Sequence, residues 1–117
     1  MADRCANAGK KRYMQHINDI PVKEMIPGFR FRLVHGAQSS LSYVEIAKGS
    51  AMAEHQHPHE QTTFVLEGQL DMIIGGQPYT MTSGMTHVIP SNTPHSAFAA
   101  TDVKVIDFFS PSRDEYR

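Results

Sequence analysis

The 117-residue chain has no tryptophan and one cysteine, Cys5. One thiol closes no internal disulfide and builds no thiolate metal site, so nothing marks a secreted, disulfide-held scaffold. Cations are not in excess, with 11 Lys and Arg against 12 Asp and Glu for a formal charge of −1. That balance offers little to release counterions from a nucleic acid, and no nucleic-acid partner is expected. No apolar run approaches the roughly 18 residues that span a bilayer, and the N-terminal stretch has no apolar core of a secretory signal. A cytoplasmic protein without membrane contact is therefore expected. The first twelve residues are charged and small, lack periodicity and end in Lys10-Lys11-Arg12. We read 1–12 as a flexible tail and 13–117 as a single domain, since the length suits one core and not two.

Long helical patterns are missing too, as are internal repeats and low-complexity blocks. Short apolar segments alternate with Gly, Pro, Ser and Asn about every ten residues, the cadence of an all-β sandwich or barrel. Strands are expected over 29–33, 41–47, 62–66, 70–74, 78–81, 86–89, 95–99 and 103–109. Gly75-Gly76 supplies the positive φ angles of a two-residue hairpin turn. In the first of these strands Phe29, Phe31 and Leu33 alternate with Arg30 and Arg32; it reads as an edge that adds to a partner's sheet, so a homodimer is expected. In the last, Val103, Val105, Asp107 and Phe109 share one face. A carboxylate on an apolar interior face must be paired, hydrogen-bonded or raised in pKa, which makes Asp107 a candidate for chemistry. The plainer alternative places it at the exposed end of the strand.

Histidine is the residue in surplus, with seven in the chain. Three fall in Glu54-His55-Gln56-His57-Pro58-His59-Glu60-Gln61, and His95 follows the proline-bounded turn Pro90-Ser91-Asn92-Thr93-Pro94. His55 and His57, two residues apart on a strand, face the same way and can share a divalent ion. Glu60 or Gln61, with His95 from a neighbouring strand, would complete an open N/O site. His16, His35 and His87 have no motif around them.

These segments resemble the two motifs of the small single-domain cupins. Gly49, His55, His57, Gln61 and Gly68 stand at the spacing of the first motif, with Gln61 where most cupins have Glu. Gly84, Pro90 and His95 match the second, with Asn92 in place of its glycine and Ala99 in place of its asparagine. The resemblance implies a double-stranded β-helix, a jelly-roll barrel, that binds one divalent metal ion (Ni, Zn, Fe, Mn or Co) through His55, His57, Gln61 and His95. The spacing to Gly68 favours Gln61 over Glu60, and His59 falls outside the ligand set. A neutral amide would leave the cation its full charge to attract an anionic substrate. More narrowly, 55–61 together with Asp107-Phe108-Phe109-Ser110-Pro111-Ser112-Arg113 is similar to the pectin-degradation cupins, which convert 4,5-unsaturated monouronates from pectin or alginate to linear keto forms. That likeness implies a catalytic set of Asp107 for proton transfer, Arg113 to clamp the substrate carboxylate and Phe109 as wall, with a small anionic sugar as substrate. The alternatives are an Fe- or Mn-dependent cupin dioxygenase and a non-catalytic sugar-binding cupin.

Overall fold

The computed structural model describes residues 13–117; the expected tail at 1–12 lies outside them. The described residues are all-β, as the punctuation predicted, with ten strands among them: β1 (Lys23–Ile26), β2 (Phe29–His35), β3 (Ser40–Ile46), β4 (Ala51–His55), β5 (Glu60–Glu67), β6 (Gln69–Ile74), β7 (Gln77–Thr82), β8 (Thr86–Ile89), β9 (His95–Ala99) and β10 (Val103–Ser110). Single 3-10 turns occupy Ile17–Asp19 and Asp114–Tyr116. Six strands pair in the order β1-β2-β3-β10-β5-β8 and four in the order β4-β9-β6-β7. Neither sheet closes on itself. The expected barrel is realised as two antiparallel sheets whose inner faces share one core, with Phe29, Val44, Val65 and Val105 from the first and Leu70, Met72, Met81 and Ala99 from the second.

Two expectations are corrected. The Phe29–Leu33 segment is not an edge, because β1 pairs along β2 and takes the outer position. Phe29 and Phe31 are instead buried, their rings stacked 6.2 Å apart in the core. The outer strand on this side of the sheet is β1. The HxH pair is not wholly on a strand either: β4 ends at His55, and His57 sits in the connection to β5. The Gly75-Gly76 turn forms as expected, with both residues at positive φ between the paired Ile74 and Gln77.

Three neighbouring strands place the site. Along β3, β10 and β5 the inward residues lie in register rows: Val44, Val105 and Val65 form one row, and Ser42, Asp107 and Thr63 form the next. Beyond these come Ser40, Phe109 and Gln61. Side chains of period two all point to the same face, so one step of two residues on each strand turns an apolar interior polar.

Candidate metal centre

His55, His57 and His95 converge at the polar end. Their candidate ligand nitrogens all lie within 4.8 Å of one another. His55 closes β4 opposite His95, which opens β9. His57 is brought over by the turn before β9, where the Asn92 N–H donates to the His57 carbonyl at 2.8 Å. Asn92 adopts φ 59°, the left-handed conformation that glycine usually supplies and that Asn tolerates better than most residues. The departure from the second motif therefore leaves its turn intact.

Each imidazole is oriented from behind. The Nδ1 atoms of His55, His57 and His95 lie 3.0, 3.0 and 2.8 Å from the carbonyl oxygens of Ala53, His59 and Thr93. A carbonyl only accepts, so Nδ1 carries the proton and Nε2 presents its lone pair, the arrangement found behind metal-binding histidines. Burial, followed by the Arg113 charge and by the repulsion that a protonated His95 would exert, lowers His57 to about 4, and burial also lowers His95. Both are neutral at pH 7, as ligation requires.

Two observations fit this pocket to a cation. His95 Nε2 is buried without a hydrogen-bond partner among the described residues. His57 Nε2 lies 3.1 Å from Gln61 Oε1. With Nδ1 already donating, a neutral His57 has no second proton for that oxygen, whereas a divalent ion binding both atoms satisfies both lone pairs. The strand phase after Pro58 separates the adjacent candidates: Gln61 is buried on the inner face and Glu60 is exposed.

From Gln61 a chain of polar contacts runs to Asp107. Gln61 Nε2 donates to Thr63 Oγ1 at 3.0 Å, and Thr63 donates to Asp107 Oδ1 at 2.8 Å. Burial pushes the Asp107 carboxyl up to about 6, against the opposing pull of the Thr63 and Gln61 hydrogen bonds and the Arg113 charge. Asp107 thus faces inward, and the exposed-end alternative does not hold. Phe109 stands one inward position further along β10, with its ring 5.7 Å from that of His57. Arg113 is buried, and its guanidinium carbon lies 4.6 Å from the Phe109 ring centre. His55, His95, Gln61, Asp107, Phe109 and Arg113 all line one open cavity.

The other histidines are elsewhere. His59 is buried outside the cluster, 3.7 Å from Glu115. His16 accepts from the Asn18 N–H, His35 meets Ser40 Oγ at 2.8 Å, and His87 packs against Tyr79. Sequence reasoning missed Ser42, Thr63 and Tyr116, which also line the cavity. The alternation in β3 and β5 would have found the first two; Tyr116 has no such signal.

The profile of a family described as Cupin domain matches residues 42–109. The pectin degradation protein KdgF of Dickeya dadantii (strain 3937) is 24% identical over 102 residues, covering 85% of this chain and 93% of that protein. Among solved structures, an RmlC-like cupin from Shewanella frigidimarina NCIMB 400 superimposes with a TM-score of 0.85 at 22% identity, over 90% of this chain and 96% of that one. KdgF from Halomonas sp. gives a TM-score of 0.81 at 28% identity, over 86% and 94%.

Proposed function

The chain belongs to the cupin family, and from that premise we propose that it is a metal-dependent enzyme that opens 4,5-unsaturated monouronates to their linear keto forms. The observation that carries this reading is the shared chain of contacts from His57 through Gln61 and Thr63 to Asp107, at 3.1, 3.0 and 2.8 Å. It joins a cation-shaped cluster to a proton-transfer group whose pKa of about 6 lies near neutral pH. General acid–base catalysis is most effective there, because one carboxyl can both take and return a proton. The likeness to two proteins called KdgF, one of them a pectin degradation protein, supports the substrate class.

The reaction is an isomerisation. Ionised Asp107 takes the proton of the anomeric hydroxyl as the bond from C1 to the ring oxygen breaks, which leaves an aldehyde at C1 and an enolate at C5. The carboxyl then delivers that proton to C4, and C5 becomes a ketone. Nothing is gained or lost. A divalent ion held by His55, His57, His95 and Gln61 would supply Lewis-acid polarisation of the substrate carboxylate and ring oxygen. Arg113 binds the same carboxylate, and Phe109 forms the wall that keeps water from the developing enolate.

The test is incubation of metal-loaded protein with 4,5-unsaturated galacturonate while following loss of the ultraviolet absorbance of its conjugated double bond. Acceleration over the spontaneous reaction is expected, with loss of the acceleration after chelation. Absence of acceleration refutes the reading. Oxygen uptake would favour a dioxygenase, and binding without turnover a sugar-binding cupin.

A further inference from the structure

The C-terminal turn that carries Arg113 also places Tyr116 on the cavity wall, a residue that the proposed reaction does not use. It is tied down at its back, where Lys23 Nζ donates to the Tyr116 carbonyl at 3.0 Å and the Arg117 guanidinium donates to the Gly36 carbonyl. Toward the cavity it presents Arg113 and Tyr116. The guanidinium carbon of Arg113 lies 4.2 Å from the Tyr116 ring centre, on top of its contact with Phe109. Its Nε donates to Glu115 Oε2 and its terminal NH2 group to Tyr116 Oη, each at 2.8 Å. The other Glu115 oxygen is 3.7 Å from His59 Nε2. The histidine that stands outside the metal cluster therefore sits beside the carboxylate that holds Arg113.

These contacts decide which donors are left. A guanidinium has five N–H groups in a planar fork. Glu115 and Tyr116 take the side of the fork that includes Nε, so Arg113 cannot grip an incoming carboxylate there; the terminal N–H groups are what it has to offer. Tyr116 Oη accepts from Arg113, which leaves its own proton to be donated. A phenolic O–H next to a guanidinium end is a donor pair matched to a planar carboxylate.

We infer that Tyr116 is a further ligand-contacting residue and Glu115 the positioning residue of Arg113, the three making a carboxylate site on the C-terminal turn. The choice of a uronate as its ligand rests on the proposed function; the preference for a carboxylate does not.

The experiment is calorimetric titration of the full-length, Ni2+-loaded protein with galacturonate, which is saturated and does not react, and with its neutral methyl ester. The acid should bind more tightly than the ester. Tyr116→Phe keeps the ring over Arg113 and loses only the hydroxyl, so it should weaken the acid about tenfold and leave the ester nearly unchanged. Glu115→Ala should weaken the acid about threefold to tenfold, and Glu115→Gln, whose amide oxygen still accepts from Nε, should recover most of that loss. Metal content should be the same in every variant. Equal affinity for acid and ester, failure of the wild type to bind galacturonate, or a Tyr116→Phe protein that binds the acid like the wild type would each overturn the site. Acid-selective binding that depends on Tyr116, without turnover of the unsaturated uronate, would leave the site standing and refute the reaction; turnover with affinity indifferent to Tyr116 would do the reverse.

Discussion

The two ends of the shared interior are built on the same strands and differ in almost everything else. At one end Ile46 and Val44 of β3, Val103 and Val105 of β10 and Val65 of β5 are at most 4% exposed and belong to one apolar cluster with Leu70, Met72, Met81 and Ala99 of the opposite sheet. At the other, Ser42, Asp107 and Thr63 replace them on the same three strands, one row on. The apolar end gains free energy from each methylene taken out of water. The polar end contains a buried imidazole nitrogen and a buried serine hydroxyl that have no hydrogen-bond partner among the described residues, and a carboxyl held away from its ordinary pKa. Each of these opposes folding. The contrast teaches that stability and chemistry are separated by position along a strand, and it should be possible to change one end without the other.

The sharpest way to break that separation is at Asp107. Under the proposed reaction, Asp107→Asn removes the proton carrier and should slow uronate opening by about 10²–10⁴-fold. Its effect on stability should have the opposite sign. The folded-state pKa of about 6 lies above the ordinary value of 3.8, so the folded protein holds this proton more tightly than the unfolded chain. The group's contribution is favourable below about pH 4 and is lost as pH rises through about 6, at a cost on the order of 3 kcal/mol by neutral pH. Urea unfolding of metal-free protein should therefore find Asp107→Asn more stable than the wild type at pH 7, with the difference shrinking toward pH 4. A variant less stable at pH 7 would mean that Asp107 serves the fold and not the chemistry.

The apolar end is tested by Met81, which is 4% exposed and part of the core cluster. Met81→Ala should cost about 3 kcal/mol in urea unfolding through lost burial and a residual cavity. The folded fraction should keep its turnover of unsaturated uronate. A fall in turnover per folded molecule would show that the two ends are mechanically coupled.

How much of this arrangement was legible depends on whether a side-chain period survives in the residues. β10 reads directly, since Val103, Val105, Asp107 and Phe109 alternate with Lys104, Ile106 and Phe108, and the inward face of Asp107 follows. β1 does not. Lys23, Glu24 and Met25 are all exposed, so no alternation announces the strand that displaces β2 from the edge. Motif spacing favoured Gln61 over Glu60, but alternation could not separate them because the chain turns at Pro58 and the phase of β5 is set by its pairing with β10. The C-terminal turn is the least legible part. The family likeness singled out Arg113, but no pattern in the residues marks Glu115 or Tyr116, and only tertiary contacts show that Arg113 is 7% exposed and stacked on Phe109.

Thr63→Val tests the boundary between the two ends with the smallest change, carrying the apolar row one position further without altering side-chain shape. Thr63 donates to the Asp107 carboxylate at 2.8 Å and lowers its pKa. Losing that hydrogen bond, worth roughly 0.5–1.5 kcal/mol, should raise the Asp107 pKa further, by about half a unit to one unit. Because the first step needs ionised Asp107, the acid limb of the pH–rate profile for uronate opening should move up by the same amount, with the plateau rate little changed. Gln61 loses a hydrogen-bond acceptor at 3.0 Å in the same variant, so metal content must be measured beside the rate. A shifted acid limb with full metal content would identify the polar row as the device that tunes Asp107. An unshifted limb would mean that Thr63 only orients Gln61, and that the two ends meet at the metal ligand and not at the proton carrier.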